Sequence, residues 1–298
     1  MIAKLANSFR QTVSGSPEGR PSWVRSIEEC EGPGLFTPES AVWEVHGSVS
    51  TLIGGIRALL LQAAHPAALA GVRDHSRYQT DLLGRLQGTS RWLTVTTFGS
   101  HELINKEAER VNAMHRHVTG KYTNRQGDHG EYAAAQPRFL LWVHCAFTES
   151  FLKAHMICRY PMRNSYDDYV REWSASARPL GLDHAPQSLS ELESEITRFL
   201  HEELSYTKET EEVIHFILHP PFGSVAKFFY TPLAKTAIRS LSDAERSLLH
   251  LDKPPKIWEL IARFNLRALQ TALGDHSPAQ QAAIKRYRRL ANFSTDNS

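Results

Sequence analysis

The residue in this chain best placed for chemistry is a histidine, His115, which occupies a position that a helical pattern assigns to the core. The segment 103–120 is predicted as one helix, with Ile104, Val111 and Val118 on its inward face. His115 follows Val111 by four residues and precedes Val118 by three, so it shares that face. A buried imidazole nitrogen without a partner costs about 1–3 kcal/mol. On this helix alone, a core histidine bonded to a carbonyl or carboxylate is favoured, and a metal ion is the alternative partner.

Two further polar residues, Gln62 and His65, end a long apolar helix just before Pro66. Proline has no N–H and crowds the preceding turn, so the Gln62 carbonyl is expected to lose its helical partner. One buried spot then carries a free carbonyl and two polar side chains. Taken alone, the pattern favours a simple helix stop.

A third candidate is the pair Arg85 and Thr89, which lie four residues apart and would share one helix face. A guanidinium beside a hydroxyl can bind an anionic or polarised oxygen. The alternative is a surface ion pair between Asp81 and Arg85, which are also four residues apart.

Trp142 and His144 lie in the apolar segment 137–159, which is predicted as a helix covered on all sides. A buried His144 again needs a partner. A hydrogen bond in the wall of a site is favoured over metal ligation, because spacing alone does not show that ligands converge.

The composition is that of a globular protein, with 41% hydrophobic and 22% charged residues among 298. A net charge of +2 is too small to indicate a basic surface for binding nucleic acid. Three cysteines are too few for a disulfide framework and favour a reducing compartment.

The first residues do not read as a secretory signal, and polar residues interrupt the apolar run 51–71. We therefore expect a cytoplasmic protein without a membrane span.

Helix signals dominate the chain, and alternating strand patterns are scarce. We predict a single all-α domain over residues 31–292, built from about nine to twelve helices. Residues 1–30 are expected to form a flexible arm, and residues 293–298 a tail. The segment 120–130 is predicted as a loop.

Several helix starts can be placed from capping patterns. Thr37 before Pro38 is predicted as an N-cap, and Ser188, Ser242 and Ser277 each begin a capping box.

Common catalytic motifs are missing from the sequence: a dinucleotide turn, a P-loop, a nucleophile elbow and a covalent haem attachment site. His201-Glu202-Glu203 begins like a zinc-protease helix, but position 205 is Ser, so that interpretation fails. Hydrolase and kinase chemistry of those types is disfavoured.

The candidate residues fall within an ordered series of short motifs. They are Gly54-Gly55-Ile56-Arg57-Ala58-Leu59-Leu60-Leu61-Gln62-Ala63-Ala64-His65-Pro66, Asp81-x3-Arg85-x3-Thr89, Phe98-Gly99, Val111-x3-His115-x2-Val118-x-Gly120, Tyr132-x4-Pro137 and Trp142-Val143-His144. The series resembles the DUF2236 family, which includes the bacterial latex-clearing (rubber) oxygenases and the fungal oxygenase that shortens a farnesyl chain in mycophenolic acid biosynthesis. The likeness extends over roughly residues 35–290.

The resemblance implies a helical fold with a globin-like core that encloses non-covalent haem b. His115 resembles the family's iron ligand, which leaves the opposite face open for O₂ or peroxide. Arg85 and Thr89 resemble the polar pair beside that oxygen. Four further residues resemble positions that line the pocket: Gln62, His65, Trp142 and His144. The implied function is a haem-dependent oxygenase that acts on a hydrophobic small molecule.

The sequence departs from the rubber oxygenases at one site position. Those enzymes have a lysine directly before the threonine, where it can cap the iron, and this chain has Gly88. An export signal and a membrane anchor are also not recognisable. The expected substrate is therefore an intracellular small molecule rather than a polymer.

Other functions stay open on the sequence. One is a non-catalytic haem protein that senses or carries a gas. Another is a non-haem metalloprotein in which His65, His115 and His144 converge on one ion, and a third is a helical interaction protein without a cofactor. Cys145 or Cys158 as a thiolate ligand and a homodimeric state are also compatible with the sequence.

Overall fold

The structure is a computed structural model that describes the backbone of residues 21–75 and 82–295. Its description includes no side chain for residues 82–87, for Val225 or for residues 293–295. The helices are α1 Ser22–Glu29, α2 Ala41–His46, α3 Thr51–Ala63, α4 Pro66–His75, α5 Leu82–Phe98, α6 His101–His115, α7 Pro137–Cys158, α8 Tyr166–Trp173, α9 Leu189–Glu202, α10 Lys208–Leu218, α11 Ser224–Ser240, α12 Asp243–Leu248, α13 Ile257–Leu273 and α14 Pro278–Thr295. Two short 3₁₀ helices cover Ser174–Ser176 and Arg178–Leu180.

The prediction of an all-α fold is confirmed. Within the described ranges there are fourteen α-helices, and the strands form a single two-stranded hairpin. The number exceeds the nine to twelve expected, because α2 and α12 are only six residues long. Among the described helices, none is long and apolar enough by itself to cross a membrane, and the bent pair of α3 with α4 reaches that threshold together by length and composition.

Helix α3 lies at the centre of the fold and packs against α7, α10 and α11. Its buried side chains include Ile53, Leu60 and Leu61, which join Trp142 and Leu152 of α7 in the main hydrophobic cluster. Helix α3, which carries Gln62, is therefore packed directly on α7, which carries Trp142 and His144.

Of the four predicted helix caps, two form in full. Ser242 and Ser277 form the predicted reciprocal bonds with the residues three positions on. The box predicted at Ser188 is half formed: Ser188 accepts from the Glu191 N–H, but the Glu191 carboxylate accepts from the Gln187 N–H. The predicted cap at Thr37 is wrong. The chain makes a turn there, and helix α2 begins after Ser40, whose hydroxyl accepts from Trp43 N–H at 3.3 Å.

The predicted helix 103–120 is also corrected, because α6 ends at His115. The N–H of Val118 turns back to the His115 carbonyl at 3.1 Å, and the chain then enters strand β1, Thr119–Thr123. This strand pairs antiparallel with β2, His129–Ala133, so the segment 120–130, predicted as a loop, lies within a β-hairpin. Non-local pairing has overridden the helical pattern at residues 116–120.

The hairpin is fastened to the end of α4. His75 Nε2 donates to the Thr119 carbonyl at 2.8 Å, and the Tyr132 hydroxyl donates to Asp74 at 3.1 Å. Val118 packs against a small cluster that includes Tyr132 instead of continuing the inward face of α6.

Helix α1 lies within the segment predicted as a flexible arm. Its Val24 and Ile27 are buried, and the helix packs against α14 and α5. The structure differs from the prediction over this stretch, because the apolar face of α1 joins the core. Residues 1–20 and the end of the predicted tail lie outside the described residues.

The close crossing of α3 and α7 depends on Gly54. A methyl group at Gly54 would lie 2.5 Å from Phe151 Cδ1 and 3.1 Å from the Phe151 Cα. The neighbouring Gly55 differs, since a methyl group there would meet no described atom within 4 Å.

We expect Gly54→Ala to lower the free energy of unfolding by about 1–3 kcal/mol, because the added carbon forces two packed helices apart. Gly55→Ala is the matched control and should be neutral or stabilising by about 0.5–1 kcal/mol, because glycine is a poor helix former. Urea unfolding followed by circular dichroism measures both values. Equal effects of the two substitutions would contradict the close approach at Gly54.

Candidate functional site

His115 is the last residue of α6 and is half-buried. Its Nδ1 atom is buried and has no hydrogen-bond partner among the described residues. Burial lowers the pKa of the imidazole, so the neutral form is favoured. Neutral imidazole is the form that ligates metals. His115 is therefore chemically able to act as a ligand, although it sits at a helix end rather than within the helix as predicted.

The kink after Gln62 differs from the prediction in one respect. The Gln62 carbonyl is not free, because the His65 N–H donates to it at 3.2 Å in a tightened last turn. Helices α3 and α4 meet there at an angle of 102°. The side chain of Gln62 does remain unsatisfied, since its Nε2 is buried without a described partner.

His65 is buried, and both of its ring nitrogens have partners. Nδ1 accepts from the Ala68 N–H at 3.4 Å, and Nε2 lies 3.3 Å from Glu203 Oε2. Glu203 also accepts from Arg138 at 2.7 Å and from Arg198 at 3.2 Å. Burial alone would raise the pKa of Glu203, but its bonds to His65 and Arg138 lower that pKa to about 2. His65 is thus held by a carboxylate that stays ionised.

Trp142 lies next to His65. The two ring centroids are 5.9 Å apart, and Phe139 and Phe199 complete an aromatic wall at 5.5 Å from His65 and 5.0 Å from Trp142. Trp142 is fully buried, and its Nε1 has no described hydrogen-bond partner. The structure therefore brings two of the predicted pocket residues together.

His144 faces a different part of the core. Its ring stacks on Trp173, with centroids 6.5 Å apart and planes at 9°. The Nε2 atom is buried without a described partner, and burial lowers the pKa of the imidazole to about 4. His144 is neutral at physiological pH and retains unused hydrogen-bonding capacity.

Arg85 and Thr89 both lie on α5, one turn apart, as the sequence predicts. The side chain of Arg85 lies outside the described residues, so its interactions are not described. Thr89 is half-buried. Two turns further along the same face, Thr96 is fully buried, and its hydroxyl has no described partner. A methyl group on Gly88 would meet no described atom within 4 Å.

The predicted alternative of a three-histidine metal site is not supported by the geometry. Among the described residues, no three His, Cys, Asp or Glu side chains lie close enough to hold one ion, so His65, His115 and His144 do not form such a group. A thiolate ligand is also disfavoured, since burial raises the pKa of both Cys145 and Cys158.

A cluster of buried charged side chains, which was not predicted from the sequence, joins α3, α7 and α12. Arg57 Nη1 lies 2.8 Å from Glu149 Oε2, and Nη2 donates to both carboxylate oxygens of Glu245 at 2.9 Å. Burial raises the pKa of Glu149, with Glu245 beside it adding to the rise. Burial would also raise the pKa of Glu245, but its bonds to Arg57 and Ser242 lower it. An arginine inside an apolar helix was the available signal, because such a residue requires carboxylate partners.

A second unpredicted network surrounds His46. Its Nδ1 lies 2.9 Å from Thr97 Oγ1, and its Nε2 lies 3.0 Å from the Tyr169 hydroxyl. Burial lowers the pKa of His46 to about 3, so it links α5 and α8 as a neutral group.

Glu203 generates a prediction on pH. Its folded pKa of about 2 lies below the ordinary 4.5, so the stability it contributes is present above pH 4.5 and is lost as the pH falls through about 2. The acid limb is the fall in the free energy of unfolding as the pH decreases below 4.5. We expect Glu203→Gln to make this fall smaller, as measured by urea unfolding at a series of pH values. Glu202→Gln, at the exposed neighbouring position, is the control and should keep the limb. A Glu203→Gln curve parallel to the unsubstituted protein would contradict the prediction.

The chain matches a protein-family model over most of its length. Residues 43–292 match the catalytic domain described as ER-bound oxygenase mpaB/B′/rubber oxygenase. No curated protein and no solved structure gives a significant match, so the likeness to globins stays a prediction. The matched range contains every candidate residue and most of the chain. The chain therefore belongs to the mpaB/rubber oxygenase catalytic-domain family, a family of oxygenases.

Proposed function

We propose that the protein is a haem b-dependent oxygenase of apolar small molecules, with His115 as the iron ligand. The observation that carries the proposal is the state of His115, whose buried Nδ1 lacks a described partner and whose imidazole is kept neutral by burial. Membership of an oxygenase family supports the reaction class.

The residues present fit a bound haem. Besides His115 Nδ1, the buried polar atoms without a described partner include Gln62 Nε2, Thr96 Oγ1, Trp142 Nε1 and His144 Nε2. Each such atom costs about 1–3 kcal/mol in a protein without a ligand. Buried polar groups left unpaired within an apolar, aromatic surround are typical of a site that is completed by a largely apolar ligand with polar edges.

When bound, the haem supplies the oxygen chemistry. The protein residues supply position and electrostatics. In this proposal, which follows the family resemblance, Arg85 would stabilise negative charge on oxygen as it is reduced, and Thr89 would donate a hydrogen bond or pass on a proton. Trp142, Phe139 and Phe199 form a wall that excludes water and favours an apolar substrate.

The first experiment is the visible spectrum of the purified protein, together with a pyridine haemochrome assay. We expect a Soret band that His115→Ala abolishes or strongly shifts, because the iron loses its protein ligand. His117→Ala is the matched control, since this exposed residue lies just beyond the end of α6, and it should keep the band. A protein that stays colourless after addition of haemin would overturn the proposal.

A second experiment measures oxygen consumption with a panel of apolar small molecules. We expect Arg85→Leu and Thr89→Val to lower turnover by about 10- to 1,000-fold while the Soret band is kept, because each removes a donor to developing charge. Asp81→Asn is the control for a surface ion pair and should leave turnover unchanged. Reversible oxygen binding without consumption by the unsubstituted protein would instead indicate a gas sensor or carrier.

A further inference from the structure

Helices α11 and α13 form an antiparallel pair at the surface. Thr236 donates to the Trp258 carbonyl at 3.2 Å, and Arg239 reaches Glu259 at 3.2 Å and the Pro254 carbonyl at 2.9 Å. These contacts join the end of α11 to the start of α13. Continuing this register along both helices brings residues 228 and 229 level with Phe264.

The outer side of this pair carries most of the large hydrophobic side chains that the described surface exposes. Of seven such residues, five lie here and form what we call the apolar patch: Phe228 (69% exposed), Phe229 (37%), Ile257 (53%), Leu260 (50%) and Phe264 (73%). On α13 the three members are spaced by three and four residues, so they follow one helix face over roughly 10 Å. Residues 226–229 are exposed in succession, so no described element covers this end of α11.

The charges around the patch are almost all positive. The sequence has no Asp or Glu from residue 213 to residue 241, and only Glu259 from residue 253 to residue 274. Glu259 is buried and bonded to Arg239 and Arg263, so it adds no negative charge to the surface.

Exposed cations flank the phenylalanines on both helices. Four of them form no ion pair with any described residue: Lys227, Lys235, Lys256 and Arg267. Lys253 lies 3.9 Å from Asp243, a carboxylate that also pairs with Arg246. The patch is therefore apolar at its centre and cationic at its edge.

We infer that the apolar patch and its cationic edge form a peripheral docking site for an anionic lipid bilayer. Exposed aromatic and aliphatic side chains insert at the boundary between headgroups and acyl chains, and lysines and arginines beside them attract anionic headgroups. Large exposed apolar patches mark sites of association. Because the exposed charges around the patch are mostly positive, the patch favours an anionic surface over a neutral one. The inference does not depend on haem binding or on the reaction.

The test is co-sedimentation of the full chain with lipid vesicles at low and high salt. The probes are vesicles of phosphatidylcholine alone and of phosphatidylcholine with about 30% phosphatidylserine. We expect the partition coefficient to be at least about tenfold higher on the anionic vesicles, and salt to reduce it because the charges are exposed. The double variant F228S/F264S should lower binding at least about tenfold, and K227E/K256E should abolish the preference for anionic vesicles.

Matched controls separate the patch from general surface properties. Tyr166→Ser, the control for F228S/F264S, removes an exposed aromatic residue outside the patch. K106E/K208E, the control for K227E/K256E, changes the net charge by the same amount at exposed positions outside the patch. Both control variants should bind vesicles as the unsubstituted protein does. Circular dichroism verifies the folding of each variant. Equal losses in the controls, or no binding to anionic vesicles, would overturn the inference. Light scattering that shows a dimer, dissociated by F228S/F264S without vesicle binding, would assign the patch to a second copy instead.

Discussion

The neutralisation of one buried arginine is the constraint on which the arrangement of the core depends. Arg57 lies in the middle of α3, fully buried, and its guanidinium is held by Glu149 of α7 and Glu245 of α12. Removing one partner of a buried ion pair typically costs about 3–5 kcal/mol, because the other charge is left unpaired. The three helices are therefore fixed in position relative to one another by charge as well as by packing. Helix α3 leads to Gln62 and His65 at the kink, and α7 carries Trp142 and His144. This cluster of buried charged side chains therefore helps to fix the distance between these two pairs of candidate residues.

Local sequence chemistry was enough to predict much of the fold. Apolar periodicity identified the long helices, and the hydroxyl side chains of Ser242 and Ser277 marked helix starts, because both signals act within a few residues. The end of α6 was predicted wrongly, since it is decided by pairing between Thr119–Thr123 and a strand ten residues later. A helical pattern that runs into such a segment gives no local sign that it stops.

The sequence identified residues of the candidate site, but it did not predict what those residues contact. His65 and Trp142 were both singled out, and they do lie together. The carboxylate that holds His65 is 138 residues away in the sequence, at the end of the segment His201-Glu202-Glu203. Partners at such separations leave no spacing pattern, and only the fold brings them together. His115 and His144 were predicted to need partners, and the described residues leave one nitrogen of each without any.

Helix α4 is fastened at both ends, and this links two regions that the sequence presents as separate. It begins at the kink that follows α3, and its last turn is bonded to the hairpin that follows His115. Ten helical residues form a stiff strut of roughly 15 Å between the two points. One continuous helix therefore joins the kink beside the aromatic wall to the hairpin that follows His115. The two ends lie beyond the distance at which independent sites usually couple, so non-additive effects of substitutions at the kink and in the hairpin would measure the stiffness of α4 itself.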